Sequence, residues 1–290
     1  MKVINQTLLE KVIIERSRSS HKGDYGRLLL LGGTYPYGGA IIVAALAAVK
    51  SGAGLVTVGT DRENIPALHS HLPEAMAFAL QDKQLLKEQL EKAEVVLLGP
   101  GLGDDASGED LVKQVFAGLK QNQILIVDGG ALTILARTSL SFPSSQLILT
   151  PHQKEWEKLS GITIEKQKED TTASALTSFP KGTILVEKGP ATRVWQAGQS
   201  DYYQLQVGGP YQATGGMGDT LAGMIAGFVG QFRQASLYER VAVATHLHSA
   251  IAQELSQENY VVLPTEISRY LPKIMKIICQ QERVSKDKLV

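Results

Sequence analysis

Six short apolar runs recur along the chain, and each closes at or beside a glycine, aspartate, proline or histidine. They are "RLLLLGG" (27–33), "GLVTVGT" (54–60), "EVVLLGPG" (94–101), "QILIVDGG" (123–130), "QLILTPH" (146–152) and "TILVEKG" (183–189). Such runs lack the alternation of a half-wet strand, so they predict strands buried on both faces. Helix-length stretches separate them at 39–51, 82–92, 107–120, 131–138, 153–160 and 170–178. Strands alternating with helices predict an α/β fold of three layers, a mainly parallel central sheet with helices on both faces. With 290 residues, 43% of them hydrophobic, the chain can bury such a core. It has no repeat and no Pro/Ser-rich linker, so residues 1–290 are read as a single domain. The polar "QQERVSKDKLV", from about 280 to 290, is expected to be a frayed tail.

The last third changes period. "TRVWQAG" and "SDYYQLQV" approach a period of two across a turn, which predicts an antiparallel hairpin at a sheet edge. Three helices should come after it, starting at Asp219, near Tyr238 and at Thr265. In the third, Ile267, Tyr270, Leu271, Ile274, Met275 and Ile278 share one face. Pro272 interrupts that stretch and predicts a kink or two short helices.

Charge narrows the partners. Lysine plus arginine balance aspartate plus glutamate at 29 each, so no basic excess points to nucleic acid or an anionic membrane. No apolar run reaches the roughly 20 residues of a bilayer span, "GGAIIVAALAAVKSGAG" coming nearest. The scattered charges of "MKVINQTLLEKVIIERSRSS" do not resemble a signal peptide, and the single cysteine, Cys279, excludes an intramolecular disulfide. A cytoplasmic protein is expected.

In open parallel sheets, ligands bind beyond the carboxyl ends of the strands. Gly32-Gly33, Gly99-Pro100-Gly101, Asp128-Gly129-Gly130, Pro151-His152 and Lys188-Gly189 should therefore gather on one rim. The stretch "ATGGMGDTLAG" (213–223) should join them. Gly215, Gly216 and Gly218 let the backbone approach a ligand closely, and the first amides of the helix they lead into point at one spot. That geometry suits phosphate. Asp219, in the first turn, either caps the helix or acts as a general base toward a hydroxyl that attacks phosphorus. No "GK[ST]" occurs, so this is not a P-loop.

At these residues the chain resembles the ADP-dependent NAD(P)H-hydrate dehydratases of the ribokinase-like superfamily. "ATGGMGDTLAGMIAG" is similar to their signature, and "HKGDYGRLLLLGGTYPYGGAIIVAALAAVKSGAGLVTV", "LPEAM", "LLGPGLG", "LILTPHQKE" and "ILVEKGPAT" occur in their order. The resemblance implies a ribokinase-like fold and repair of hydrated NADH or NADPH. The ring hydroxyl would be phosphorylated from a nucleotide, ADP in the single-domain bacterial form, and the phosphate ester would eliminate. It implies Asp219 as the base on the 6-hydroxyl, with amides of Gly215 to Gly218, Gly216 and Gly218 among them, holding charge on the phosphoryl group. It implies substrate contacts from Ala40, Gly103 and His152. Lys188, Gly189, Pro190, Ala191, Thr192 and Gly218 would line the adenine nucleotide. Glu155 would help hold Mg2+ through water. It also implies a homodimer or homotetramer and a separate NAD(P)H-hydrate epimerase as functional partner.

Two departures stand out. Gln153-Lys154 replaces a Pro-Gly common between the histidine and the acid, and Gly130 replaces a second aspartate after Asp128. Asp128 is left as structural or as a contact to a magnesium-bound water. His246 and His248 are read as packing residues, since i,i+2 positions do not share a helix face. Two other readings remain: a small-molecule kinase of the hydroxyethylthiazole or hydroxymethylpyrimidine type using ATP, and a nucleotide-binding scaffold that lost the reaction.

Overall fold

The computed structural model describes residues 1–138 and 140–287. All six expected strands form: β1 (Arg27–Leu31), β2 (Leu55–Thr60), β4 (Val95–Leu98), β5 (Ile124–Val127), β6 (Gln146–Leu149) and β7 (Ile184–Glu187). A seventh, β3 (Met76–Ala79), has no counterpart among the apolar runs, because "MAFA" contains no β-branched residue to mark it. The hairpin is present as β8 (Arg193–Gln196) and β9 (Tyr203–Gln204).

Among the described residues these make one nine-stranded sheet in the order β3-β2-β1-β4-β5-β6-β7-β8-β9. Neighbours from β3 to β7 are parallel. The hairpin pairs antiparallel at the edge, as its period foretold. Lys2 then bridges to Tyr203, so the N-terminal segment covers the exposed backbone of β9.

The helices are α1 (Gln6–Val12), α2 (Gly38–Lys50), α3 (Ile65–His71), α4 (Lys83–Lys92), α5 (Ala106–Gly118), α6 (Gly129–Arg137), α7 (Gln153–Ser160), α8 (Glu169–Ala175), α9 (Met217–Gln231), α10 (Leu237–Leu255) and α11 (Pro264–Asp287). The strands divide their side chains between two layers with period two. Leu28, Leu30, Val56, Val58, Val95 and Leu97 face a core built with α1, α2, α9, α10 and α11. Leu29, Leu31, Val96, Leu98, Leu125 and Val127 face a second core with α4, α5, α6 and α7. This is the expected three-layer α/β/α arrangement.

Of the kink or two short helices expected at Pro272, the second alternative is corrected. Pro272 lies inside one uninterrupted helix rather than between two. It removes a single hydrogen bond, and the apolar face of Ile267, Leu271 and Ile278 stays buried through it. The helix also runs on to Asp287, through most of the tail expected to be frayed. Gln, Glu, Arg and Lys in that tail are good helix formers. Residues 288–290 lie outside the described residues.

Topology and close helix packing together position the ligand rim. The chain leaves β1 toward β2 and β3, then returns to lay β4 on the other side of β1, so a topological switch point opens between β1 and β4. Helix α9 is held close to α2 because Gly223 and Gly227 lack side chains. A Cβ on Gly223 would stand 2.1 Å from the Ala44 carbonyl, and one on Gly227 would stand 2.4 Å from Ser51 Cβ.

Candidate active site

The glycines after β1 and β4 knit the switch point together. Gly33 N–H donates to the Pro100 carbonyl at 2.9 Å, and Thr34 N–H to the Gly101 carbonyl at 2.9 Å. Gly103 N–H donates to Thr34 Oγ1 at 2.8 Å. Ala40 sits in the first turn of α2, over Gly101, where a Cβ would come within 2.9 Å of the alanine methyl. The two expected substrate contacts, Ala40 and Gly103, thus border the same crevice. Beyond its chain neighbours and the backbone of its own helix, no atom lies within 4 Å of where a side chain on Gly39 would begin.

The next strand end adjoins this crevice. A Cβ on Gly99 would meet the Asp128 carbonyl at 1.8 Å, so β4 and β5 end in close backbone contact. The same packing explains Gly130. A Cβ there would lie 1.8 Å from the Leu102 carbonyl, so the backbone leaves no room for the aspartate that the resemblance leads one to expect.

Asp128 supplies the carboxylate at this end instead. It is 2% exposed. Its Oδ1 accepts from Thr150 Oγ1 at 2.7 Å and from Lys188 Nζ at 2.9 Å. This ion pair links the ends of β5 and β7 across β6, with the lysine side chain only 18% exposed. Attraction to Asp128, Glu155 and Asp219 outweighs burial and raises the Lys188 pKa, so the ammonium stays charged.

Between them stands the turn into α7. His152 is its N-cap, and its Nδ1 accepts from Lys154 N–H at 3.1 Å and Glu155 N–H at 3.2 Å. Glu155 Oε2 accepts the His152 N–H at 2.7 Å, which completes a capping box. The same pair is therefore structural as well as a candidate for ligand contact. Because Nδ1 accepts, the proton of the neutral ring is assigned to Nε2, on an imidazole that is 56% exposed. Burial, then repulsion from Lys188, lowers the His152 pKa, so the ring is neutral and presents a donor. Glu155 is itself buried, and burial pushes its carboxyl up to about 7.

Helix α9 completes the rim. Gly216, its N-cap, has φ 90°, a conformation that favours glycine, and the first amides of α9 follow it with no side-chain cap. Gly218 is close to the lysine, since a Cβ there would be 3.3 Å from Lys188 Nζ. Asp219 is next, in the first turn. Burial first, and the charge of Asp128 second, push its carboxyl up to about 6.

Thus Asp219, Gly218, Lys188, Glu155 and His152 form one cluster, with Asp128 beneath them. Gly189, Pro190, Ala191 and Thr192 form the turn from β7 to β8, closed by Thr192 Oγ1 donating to the Gly189 carbonyl at 3.0 Å. Lys188, Gly189, Pro190, Thr192 and Gly218 line a cavity of about 540 Å³, and Ala191 is exposed outside it. The cavity floor also includes His248, which the sequence puts among the packing residues. Its position two residues after His246 separates the two rings but does not say which of them meets a cavity.

Among the described residues no group of three or more His, Cys, Asp or Glu side chains is arranged to hold a metal. The acids present suit a hard cation held largely by nucleotide phosphates, with Glu155 as an oxygen partner.

A mainly parallel sheet with a switch point, and a glycine-led helix offering its amides beside an acid, define a ribokinase-like α/β fold. A ribokinase-like superfamily protein from Enterococcus faecalis matches with TM-score 0.90 and 42% identity, over 96% of this chain and 96% of that one. The chain belongs to the NAD(P)H-hydrate dehydratase family, whose model matches residues 28–273. It is 99% identical, over all of both chains, to an ADP-dependent (S)-NAD(P)H-hydrate dehydratase of Streptococcus pneumoniae. It is also similar to the ADP/ATP-dependent NAD(P)H-hydrate dehydratase of Bacillus subtilis co-crystallised with ATP/Mg2+. That match has TM-score 0.80 and 28% identity, over 94% of this chain and 97% of the other.

Proposed function

We propose that this chain dehydrates the S epimer of hydrated NADH and NADPH with ADP as phosphoryl donor. The observation that carries the proposal is the position of the half-buried Asp219 carboxyl, in the first turn of α9 and close to Lys188, where burial pushes it up to about 6. A carboxylate with that affinity for protons is a competent general base near neutral pH.

Asp219 takes the proton of the ring 6-hydroxyl as that oxygen bonds to the β-phosphorus of ADP and AMP leaves. The amides of Gly216 and Gly218 hold the charge on the transferred phosphoryl group, and Lys188 adds a point charge. The C6–O bond then breaks, phosphate departs with the electron pair, a proton is lost from C5, and the C5–C6 double bond returns. Bound Mg2+, held by the phosphates and through water by Glu155, would neutralise phosphate charge. His152 Nε2–H donates to the substrate, and the backbone around Ala40 and Gly103 shapes its cleft.

The glycine-rich strand ends along the rim support a dinucleotide over a vitamin-sized alcohol. The strand ends from β1 to β7 span four gaps of about 4.8 Å, or about 19 Å. Action on one epimer calls for a separate epimerase. The exposed Tyr260, Val261 and Leu263 between α10 and α11 support a homodimer or homotetramer. No helix among the described residues is long and apolar enough to cross a membrane. A cytoplasmic place of work rests on the substrates, which are metabolites of the cell interior.

The test is stoichiometry. Purified protein, the S hydrate, ADP and Mg2+ should yield AMP, phosphate and NAD(P)H in equal amounts. A phosphorylated product that accumulates without NAD(P)H would support the kinase reading instead.

A further inference from the structure

Helices α4, α5 and α6 each open on an aspartate: Asp82, Asp105 and Asp128. Asp82 accepts the Leu85 N–H at 3.0 Å, and Asp105 accepts the Gly108 N–H at 2.9 Å, as an aspartate N-cap is expected to do. Asp128 makes no such bond to α6, although its backbone is extended as an N-cap requires. Its Oδ1 accepts from Thr150 and Lys188 instead. Giving up a cap and burying a charge both cost stability, so this orientation calls for a reason. A staple between the ends of β5 and β7 is one candidate. Placement of the lysine ammonium for a ligand is the other.

We infer that Asp128 is a positioning residue for phosphoryl transfer, holding the Lys188 ammonium near the N-terminus of α9, where it meets the phosphate that the donor gives up. The inference rests on reading Lys188 as the point charge beside the transferred phosphoryl group. A lysine head on a flexible stem needs such a hold. The backbone of Lys188 is tied first, its N–H donating to the Pro151 carbonyl at 2.9 Å. The side chain is tied second, Nζ donating to Asp128 at 2.9 Å across β6. Among the described residues that is the hydrogen bond Nζ makes, so two of its three protons remain for a ligand. Lys188 and Gly218 line the same cavity of about 540 Å³. Thr150, 1% exposed, fixes the carboxylate in turn, so the ends of β5, β6 and β7 together place one charge. Glu155 and Asp219 attract the ammonium too, each less than Asp128 does. Without Asp128 the lysine would be drawn to them, and a cation paired with Asp219 would make that carboxylate a weaker base.

The test titrates ADP and AMP, each with Mg2+ and without the hydrate, into the full-length chain and its Asp128→Asn, Lys188→Met and double variants, read by calorimetry. ADP carries the phosphate that Lys188 meets, and AMP does not. Asp128→Asn should bind ADP about tenfold more weakly, the loss of one well-placed charge-assisted hydrogen bond, and AMP within about twofold of the unsubstituted chain. Lys188→Met should lose at least as much ADP affinity. The double variant should lose no more than Lys188→Met alone, because Asp128 acts through the lysine. A staple alone would weaken both nucleotides alike. An independent role, such as holding a magnesium-bound water, would make the two losses multiply. Either result would overturn the inference, as would unchanged ADP affinity in Asp128→Asn. If Asp128→Asn does not fold, Thr150→Val carries the test, since it frees the carboxylate that Thr150 fixes. It should weaken ADP about threefold and leave AMP unchanged, and undiminished ADP affinity would overturn the assignment. Because no hydrate is present, the expected pattern in a protein that fails to regenerate NAD(P)H would refute the proposed reaction and leave this inference standing.

Discussion

Asp219→Asn should make the protein inactive and more stable at once. The two competing roles for this residue carry opposite signs of stability change. If Asp219 only caps α9 and favours its dipole, the neutral amide loses about 0.3–1 kcal/mol. If it is a base held in a desolvated cluster, the charged form is a burden to the fold. A carboxyl moved from 3.8 to about 6 has its charged form disfavoured by about 3 kcal/mol, at about 1.4 kcal/mol per tenfold. Partial exposure discounts this to roughly 1–3 kcal/mol. The sign comes from linkage. The folded state binds the Asp219 proton more tightly than the unfolded chain, so the destabilisation is complete above about 6 and fades as pH falls toward 3.8. Asparagine removes it. Urea titration at pH 7.5 should show the variant more stable by about 1–3 kcal/mol, with the gap closing near pH 4. Turnover should fall by about 10²–10⁴, the usual contribution of a general base. A variant less stable at pH 7.5, or one with unchanged kcat, rules out a desolvated base at this position.

The same cluster has other consequences. kcat/KM should decline below about pH 6, close to tenfold per pH unit, as the Asp219 carboxylate takes up its proton; a flat profile from pH 7 to 4.5 counts against the base. Lys188→Met leaves the 2%-exposed Asp128 without its cation, so it should destabilise by about 3–5 kcal/mol and raise KM for ADP more than KM for the hydrate; a thermal melt and steady-state kinetics check both. Gly130→Asp, which installs the expected acid, should destabilise by at least about 1–3 kcal/mol, because its Cβ would collide with the Leu102 carbonyl at 1.8 Å; unchanged stability would mean the Leu102 loop yields easily.

The parallel strands legible in the sequence are those whose apolar runs are continuous, because burial on both faces leaves no polar position to confuse the period. β3 lacks that signal, and α1 and α3, seven residues each, lie outside the helix-length stretches read between the apolar runs. Strand ends locate the rim, so Asp219, His152, Glu155 and Lys188 can be gathered from the sequence alone. What their spacing does not reveal is which strand ends are neighbours. The Asp128–Lys188 pair joins residues 60 apart in the chain, and it exists because β5, β6 and β7 are adjacent. In the sequence Gly130 resembles a lost acid, and its reason is a backbone carbonyl contributed by a different loop.

The most direct measurement is the return of reduced-nicotinamide absorbance when the purified protein meets the S hydrate of NADH with Mg2+ and ADP, with the Asp219→Asn protein run alongside. Recovery should need the nucleotide and be lost in the variant. No recovery with ADP or ATP, together with transfer of phosphate from ATP to a thiazole or pyrimidine alcohol, would contradict the repair reaction.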